Sequence, residues 1–172
     1  MAVGFKVEFF WYQIGTGDFL HSFFSTIAYN LENKNWGSRF PVIMNELYQG
    51  KMSAENVDKA ITELEIIKKE LKKYPPQKAI WDIDDLSKQS PWIDNISKDI
   101  TDLSNYFVTS DGADFLTIFL HALEKSKQMN CIIIDDDLLS RKVLEGLIEK
   151  SDLLNLVGSY ESPVEAFKAF DM

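Results

Sequence analysis

The 172-residue length suits a single hydrophobic core, and 45% hydrophobic with 13% aromatic residues is too apolar for a disordered chain. A formal net charge of -9 weighs against nonspecific binding to nucleic acid or anionic membrane, which attract lysine- and arginine-rich surfaces, and favours a cationic partner. The lone Cys131 excludes an intrachain disulfide, and no apolar run approaches the roughly 18 residues of a membrane span.

From the N-terminus, residues 4–14 alternate through Phe5, Val7, Phe9 and Trp11, the period of a half-buried strand. This stretch has neither the basic start nor the long apolar core of a secretory signal, so a cytoplasmic location is expected. Gly15 and Gly17 stop the strand. Asp18 is placed to cap a helix over 18–32, whose apolar face is Phe19, Leu20, Phe23, Phe24, Ile27, Ala28 and Leu31. Residues 33–50, with Gly37, Pro41 and Gly50 around the run Phe40–Met44, read as loop with a brief strand or turn. Val57, Ala60, Ile61, Leu64, Ile67 and Leu71 then mark a helix over 54–73, closed by lysines and by Pro75-Pro76.

Lys78–Ile83 alternates as a short strand, a polar loop with Pro91 follows, and Tyr106–Thr109 is a further candidate strand before an Asp111-Gly112 turn. Helices are expected over 113–127 and 137–150, with a buried strand at Cys131–Ile134 between them and a short helix over Pro163–Phe170. Cys131 reads as a small buried hydrophobe rather than a nucleophile. The pattern Asp-Phe-Leu-x-x-Phe occurs at Asp18–Phe23 and again at Asp114–Phe119, through duplication or through convergent capping. The elements add up to one α+β domain over 1–172, a small and largely antiparallel sheet of about three to five strands packed against helices 18–32, 54–73, 113–127 and 137–150.

No catalytic constellation, cofactor-binding loop or metal-ligand spacing emerges. His21 and His121 each lie one position beyond the apolar rows of their helices, without a spaced Cys or Asp, and read as structural. The Gly15-Thr16-Gly17 turn is an ordinary strand-to-helix junction, and Asp135–Asp137 suit the start of the following helix. On a strand, Asp82 and Asp84 would share one face, a pair able to bind metal or do acid–base work, yet no His or third spaced ligand accompanies them in sequence, so a solvated face is the simpler reading. Between Ala79 and Leu120 eight aspartates face only Lys88 and Lys98, a local net charge of -6, in company with Trp81, Trp92 and Tyr106. Aromatic residues within an acidic surface are the composition of an interface for a basic partner. The candidate partner-binding residues are therefore Asp82, Asp84, Asp85, Trp92, Asp94, Asp99 and Asp102, against the alternative of core tryptophans among solubilising acids.

Gly4-Phe5-Lys6, Phe10-Trp11-Tyr12-Gln13-Ile14-Gly15, Trp36-Gly37-Ser38-Arg39-Phe40-Pro41, Leu47-Tyr48-Gln49-Gly50, Trp81-Asp82-Ile83 and Pro91-Trp92 together resemble the immunity protein 70 family of bacterial polymorphic toxin systems, over roughly residues 3–128. The remainder, 129–172, reads as a helical extension packed on that domain. The resemblance implies a non-enzymatic protein that binds a cognate toxin domain and protects its producer, with no cofactor, nucleic acid or membrane as partner. It carries no functional-residue motif, so the interface residues rest on charge and aromatic content alone. A nuclease toxin, basic in order to hold phosphates, is the favoured target. The competing expectations are an interaction or regulatory module outside toxin biology, and a divalent-metal hydrolase built on Asp82, Asp84 and Asp85.

Overall fold

The computed structural model describes residues 2–7, 10–50, 52–92, 95–127, 129–151 and 154–170. The chain divides into two compact units, residues 1–124 and 125–172.

The first unit opens with an antiparallel pair, β1 (Ala2–Val7) and β2 (Phe10–Thr16), in which Phe5 faces Tyr12 and Val7 faces Phe10. The expected single strand over 4–14 is thus two. Alternation continues through both strands, so periodicity hides the break between them. Phe5 packs on the core while Trp11 remains 55% exposed.

From Thr16 the chain passes directly into α1 (Gly17–Leu31). Thr16, not Asp18, is the cap: its hydroxyl accepts from Phe19 N at 3.2 Å, and Asp18 sits in the first turn. In α3 (Phe115–Ser126) the aspartate of the echoed pattern is the cap itself, Asp114 accepting from Thr117 N at 2.7 Å. The two copies therefore start their helices differently, yet their phenylalanines meet: Phe23 packs edge-on against Phe115 at 4.8 Å and Phe19 against Phe115 at 5.8 Å. α2 (Val57–Leu71) completes the core through Val57, Ala60, Ile61, Leu64, Ile67 and Leu71. Between α1 and α2, residues Val42–Leu47 form a π-helical turn in place of the expected brief strand.

In the second unit β3 (Met129–Ile134) runs parallel to β4 (Leu154–Tyr160), with α4 (Leu138–Ile148) crossing between them and α5 (Pro163–Phe170) following. Asp137 caps α4 by accepting from Leu139 N and Ser140 N, as the acid run implies. The strand expected at Cys131–Ile134 is present but not fully buried. Ile133 is buried, Ile132 and Ile134 are exposed, and Cys131 is half-buried. β4 has no strand signature in the sequence, because Leu154–Tyr160 carries Asn155, Gly158 and Ser159 among its apolar residues. Mixed α+β character is as expected, with the strands in two separate pairs.

Two sequence readings fail between α2 and α3. Lys78–Ile83 is not a strand: Pro76–Lys78 makes a single 3₁₀ turn, and the residues after it bend and pair with no strand among the described residues. Tyr106–Thr109 contributes only an isolated bridge, Val108 to Asp114, around a turn at whose tip Gly112 adopts φ +85°. From Ala79 to Asp114 the described residues are thus irregular but folded.

Candidate functional site

The hydroxyls of α1 hold the irregular stretch in place. Thr26 Oγ1 accepts from Ile80 N at 2.9 Å and donates to Ile80 O at 3.3 Å; Ser22 Oγ also donates to Ile80 O, at 2.9 Å, and Ser25 Oγ accepts from Ile83 N at 3.1 Å. All three side chains are buried on the apolar face of α1. Serine and threonine in the middle of a helix, pointing inward, supply the partners that a neighbouring strand would otherwise give. The sequence alternates at 78–83, but the backbone of Ile80 and Ile83 bonds to these side chains and not to a strand.

Farther along, Leu103 N donates to Tyr74 O at 2.9 Å and Ser110 N to Ile14 O at 3.0 Å, tying the loop to the turn after α2 and to β2. Trp92 and Tyr106 join its two halves. Trp92 Nε1 donates to the Tyr106 hydroxyl at 3.0 Å, the Ser90 hydroxyl lies 3.1 Å from the same oxygen, and Trp81 packs edge-on against Trp92 at 5.3 Å. Trp92 also lines an open pocket of about 440 Å³ with Ile14, Phe19, Ile96, Ile100 and Tyr106.

Of the candidate interface residues, Asp82, Asp84 and Asp85 are brought together in one tight loop. Asp82 accepts from Asp84 N at 3.0 Å and pairs with Lys88 Nζ at 2.7 Å; these contacts, the Lys88 ammonium foremost, hold its carboxyl down to about 2. Asp85 accepts from the Ser87 hydroxyl at 2.6 Å and from Ser87 N at 3.1 Å, which lowers its pKa as well. Asp84 is exposed. Asp99 and Asp102 belong to a second loop, stapled by Asn105, which accepts from Thr101 N and Asp102 N and donates to Asp99 O. Burial works to raise the Asp102 pKa, but the Ser104 hydroxyl at 2.6 Å, Ser104 N at 2.8 Å and the Thr101 hydroxyl at 3.0 Å outweigh it and keep the group below its ordinary value. Trp92 is half-buried against the core rather than presented as a free anchor. Asp94 lies outside the described residues.

Sequence reasoning missed His21. From the middle of the α1 surface its Nε2 lies 3.5 Å from Asp82 Oδ1, its Nδ1 lies 3.0 Å from the Tyr48 hydroxyl, and its ring stacks toward Trp36 at 6.3 Å. The statement that no histidine accompanies the acids therefore fails in space. Only the fold joins positions 21 and 82, and no local spacing could have signalled it.

Among the described residues no helix is long and apolar enough to cross a membrane. The family described as Immunity protein 70 matches residues 5–134, three-quarters of the chain. The chain belongs to the immunity protein 70 family. Membership places it among immunity proteins, the class that the resemblance implied. The segments that suggested the immunity protein 70 family meet around α1: Tyr48 and Asp82 both contact His21, and Trp36 packs between Phe24 and Tyr48. No curated protein and no solved structure matches the chain.

Proposed function

We propose that this protein binds a cognate bacterial toxin domain directly and silences it in the producer's cytoplasm, acting by contact rather than catalysis. The surface that meets the toxin is the stretch from Ala79 to Asp114. The observation that carries this reading is that, among the described residues from Ala79 to Asp114, a long segment without helix or paired strand is held by buried partners on α1 while Asp84, Asp99 and Asp111 are exposed. Irregular segments beyond about 12–15 residues in compact folds are usually functional. Asp82, Asp84, Asp85, Asp99 and Asp102 form the charged rim, and the pocket beside Trp92 takes an apolar anchor, the division of labour found in protein interfaces. A basic nuclease domain is the target class that this charge suits, since it must carry cations to hold phosphate.

The test is co-expression with the toxic domain encoded beside this protein's gene, scoring survival and co-purification at low and high salt. Rescue with a complex that loosens as salt rises supports both the function and the acidic rim. Cell death with no complex removes the assignment for that pair. Survival with a salt-insensitive complex, unaffected by Asp84→Lys with Asp99→Lys, keeps the function and removes the rim.

A further inference from the structure

We infer that His21, Asp82 and Asp84 form a binding site for a divalent transition-metal ion of the zinc class, clasping the loop after residue 79 onto α1. One ligand atom from each of the three lies within 4.8 Å of the others. The separation of His21 Nε2 from Asp82 Oδ1, 3.5 Å, is long for a charge-assisted hydrogen bond, which closes to about 2.7–2.9 Å. It is close to the edge of a tetrahedron around zinc, about 3.3 Å for metal–ligand bonds of about 2.0–2.1 Å.

The surroundings favour a metal as well. Tyr48 sits 3.0 Å from His21 Nδ1, the outer-shell partner that fixes an imidazole's orientation in metal sites. With the proton on Nδ1 donated to that oxygen, the Nε2 lone pair is free to ligate a cation beside the carboxylates. The Asp84 backbone and Lys88 hold the Asp82 carboxylate, so it is oriented in advance, with Lys88 on Oδ2 and Oδ1 on the His21 side. The Asp84 carboxylate makes no hydrogen bond or ion pair among the described residues. One imidazole nitrogen with two carboxylate oxygens selects a borderline ion such as Zn²⁺ over Mg²⁺ or Ca²⁺, which prefer all-oxygen shells. Three protein ligands leave the remaining position to water.

The site shares Asp82 and Asp84 with the proposed toxin-binding rim but does not rest on that reading, and it is tested without a toxin, on the chelator-treated full chain with Zn²⁺ alone. Calorimetric titration is expected to give about one saturable Zn²⁺ per chain, with His21→Gln and Asp84→Asn each weakening it by roughly tenfold or more and His121→Gln leaving it unchanged. Circular dichroism checks that each variant is folded. Because Asp84 is exposed, Asp84→Asn decides the matter should His21→Gln unfold. The His21 ring resonances shift on Zn²⁺ addition, while those of His121 do not. Absence of saturable binding, or binding of one equivalent that both ligand variants leave intact, overturns the site.

Discussion

Two irregular segments of this protein carry carboxylates, and they use them in opposite ways. Between α1 and α2, Glu32 is 2% exposed and accepts from Gly37 N at 2.8 Å, Arg39 N at 2.9 Å and Phe40 N at 3.0 Å. Glu63, 6% exposed, accepts from Val42 N and Ile43 N through one oxygen. Arg39 adds a bidentate pair with Glu70 at 2.9 and 3.0 Å. Gly37 completes the turn at φ +72°, where a side chain would run into Asn45. Between α2 and α3 the roles reverse: buried hydroxyls and the Trp92–Tyr106 pair do the fastening, and the aspartates close small turns at the surface. An acid's place in the fold, rather than the local density of acids, separates a structural carboxylate from one free to meet a partner.

That contrast breaks most visibly at Glu32. Glu32→Ala removes the acceptor of three backbone N–H groups, including that of buried Phe40, and is expected to cost at least about 3 kcal/mol in chemical denaturation. Glu32→Gln keeps an oxygen for Arg39 and Phe40 but sets an amide donor against Gly37 N, so an intermediate loss is expected. A loss under about 1 kcal/mol for the alanine variant would show that water replaces the carboxylate and that this loop is not built on it.

Thr26→Val is the matching change for the second loop. It is nearly isosteric and strips Ile80 of its N–H partner, for an expected loss of about 1–2 kcal/mol together with faster amide exchange at Ile80. Unchanged exchange there would mean that the loop is held elsewhere.

The helices were legible because burial repeats along them: α1 begins one residue before the helix read from sequence, and α2 lies inside the one expected, with Pro75-Pro76 beyond its end. Hydropathy could not show which polar residues on those faces turn inward. Ser22, Ser25, Thr26 and Glu63 interrupt apolar rows without breaking them, and their partners lie up to 58 residues away. Lys78–Ile83 reads as a strand from its alternating hydropathy for the same reason, since the backbone of Ile80 and Ile83 is bonded to inward-turned side chains of α1 instead of to a neighbouring strand. The acidic cluster was legible as composition, and the fold adds that Asp82, Asp84 and Asp85 share one loop with His21 beside it.

A finer discrimination comes from pH. Burial raises the Glu63 pKa above its ordinary 4.5, in spite of the Ile43 and Val42 N–H groups, and its second oxygen, Oε1, is buried without a hydrogen-bond partner among the described residues. The folded chain then holds this proton more tightly than the unfolded chain. The contribution is fully present below the unfolded value and is lost as pH rises through the raised folded value. Urea midpoints measured from pH 4 upward should show Glu63→Gln removing that part of the decline. An unaltered slope would assign the decline to other groups.

The smallest effect on stability belongs to the surface acids, and for that reason it bears most directly on function. Asp84 and Asp99 are exposed and neither forms an ion pair among the described residues, so in metal-free protein Asp84→Asn with Asp99→Asn should alter unfolding free energy by no more than about 0.5 kcal/mol. Binding to a basic partner loses two attractive charges in the same variant, and its association rate should fall, most clearly at low salt, where screening is weakest. A stability loss comparable with that of Thr26→Val would place these acids in the same structural class as Glu32, and the contrast between the two loops would dissolve. Unchanged stability with slower association would leave the surface carboxylates with a role in meeting a partner and none in holding the fold.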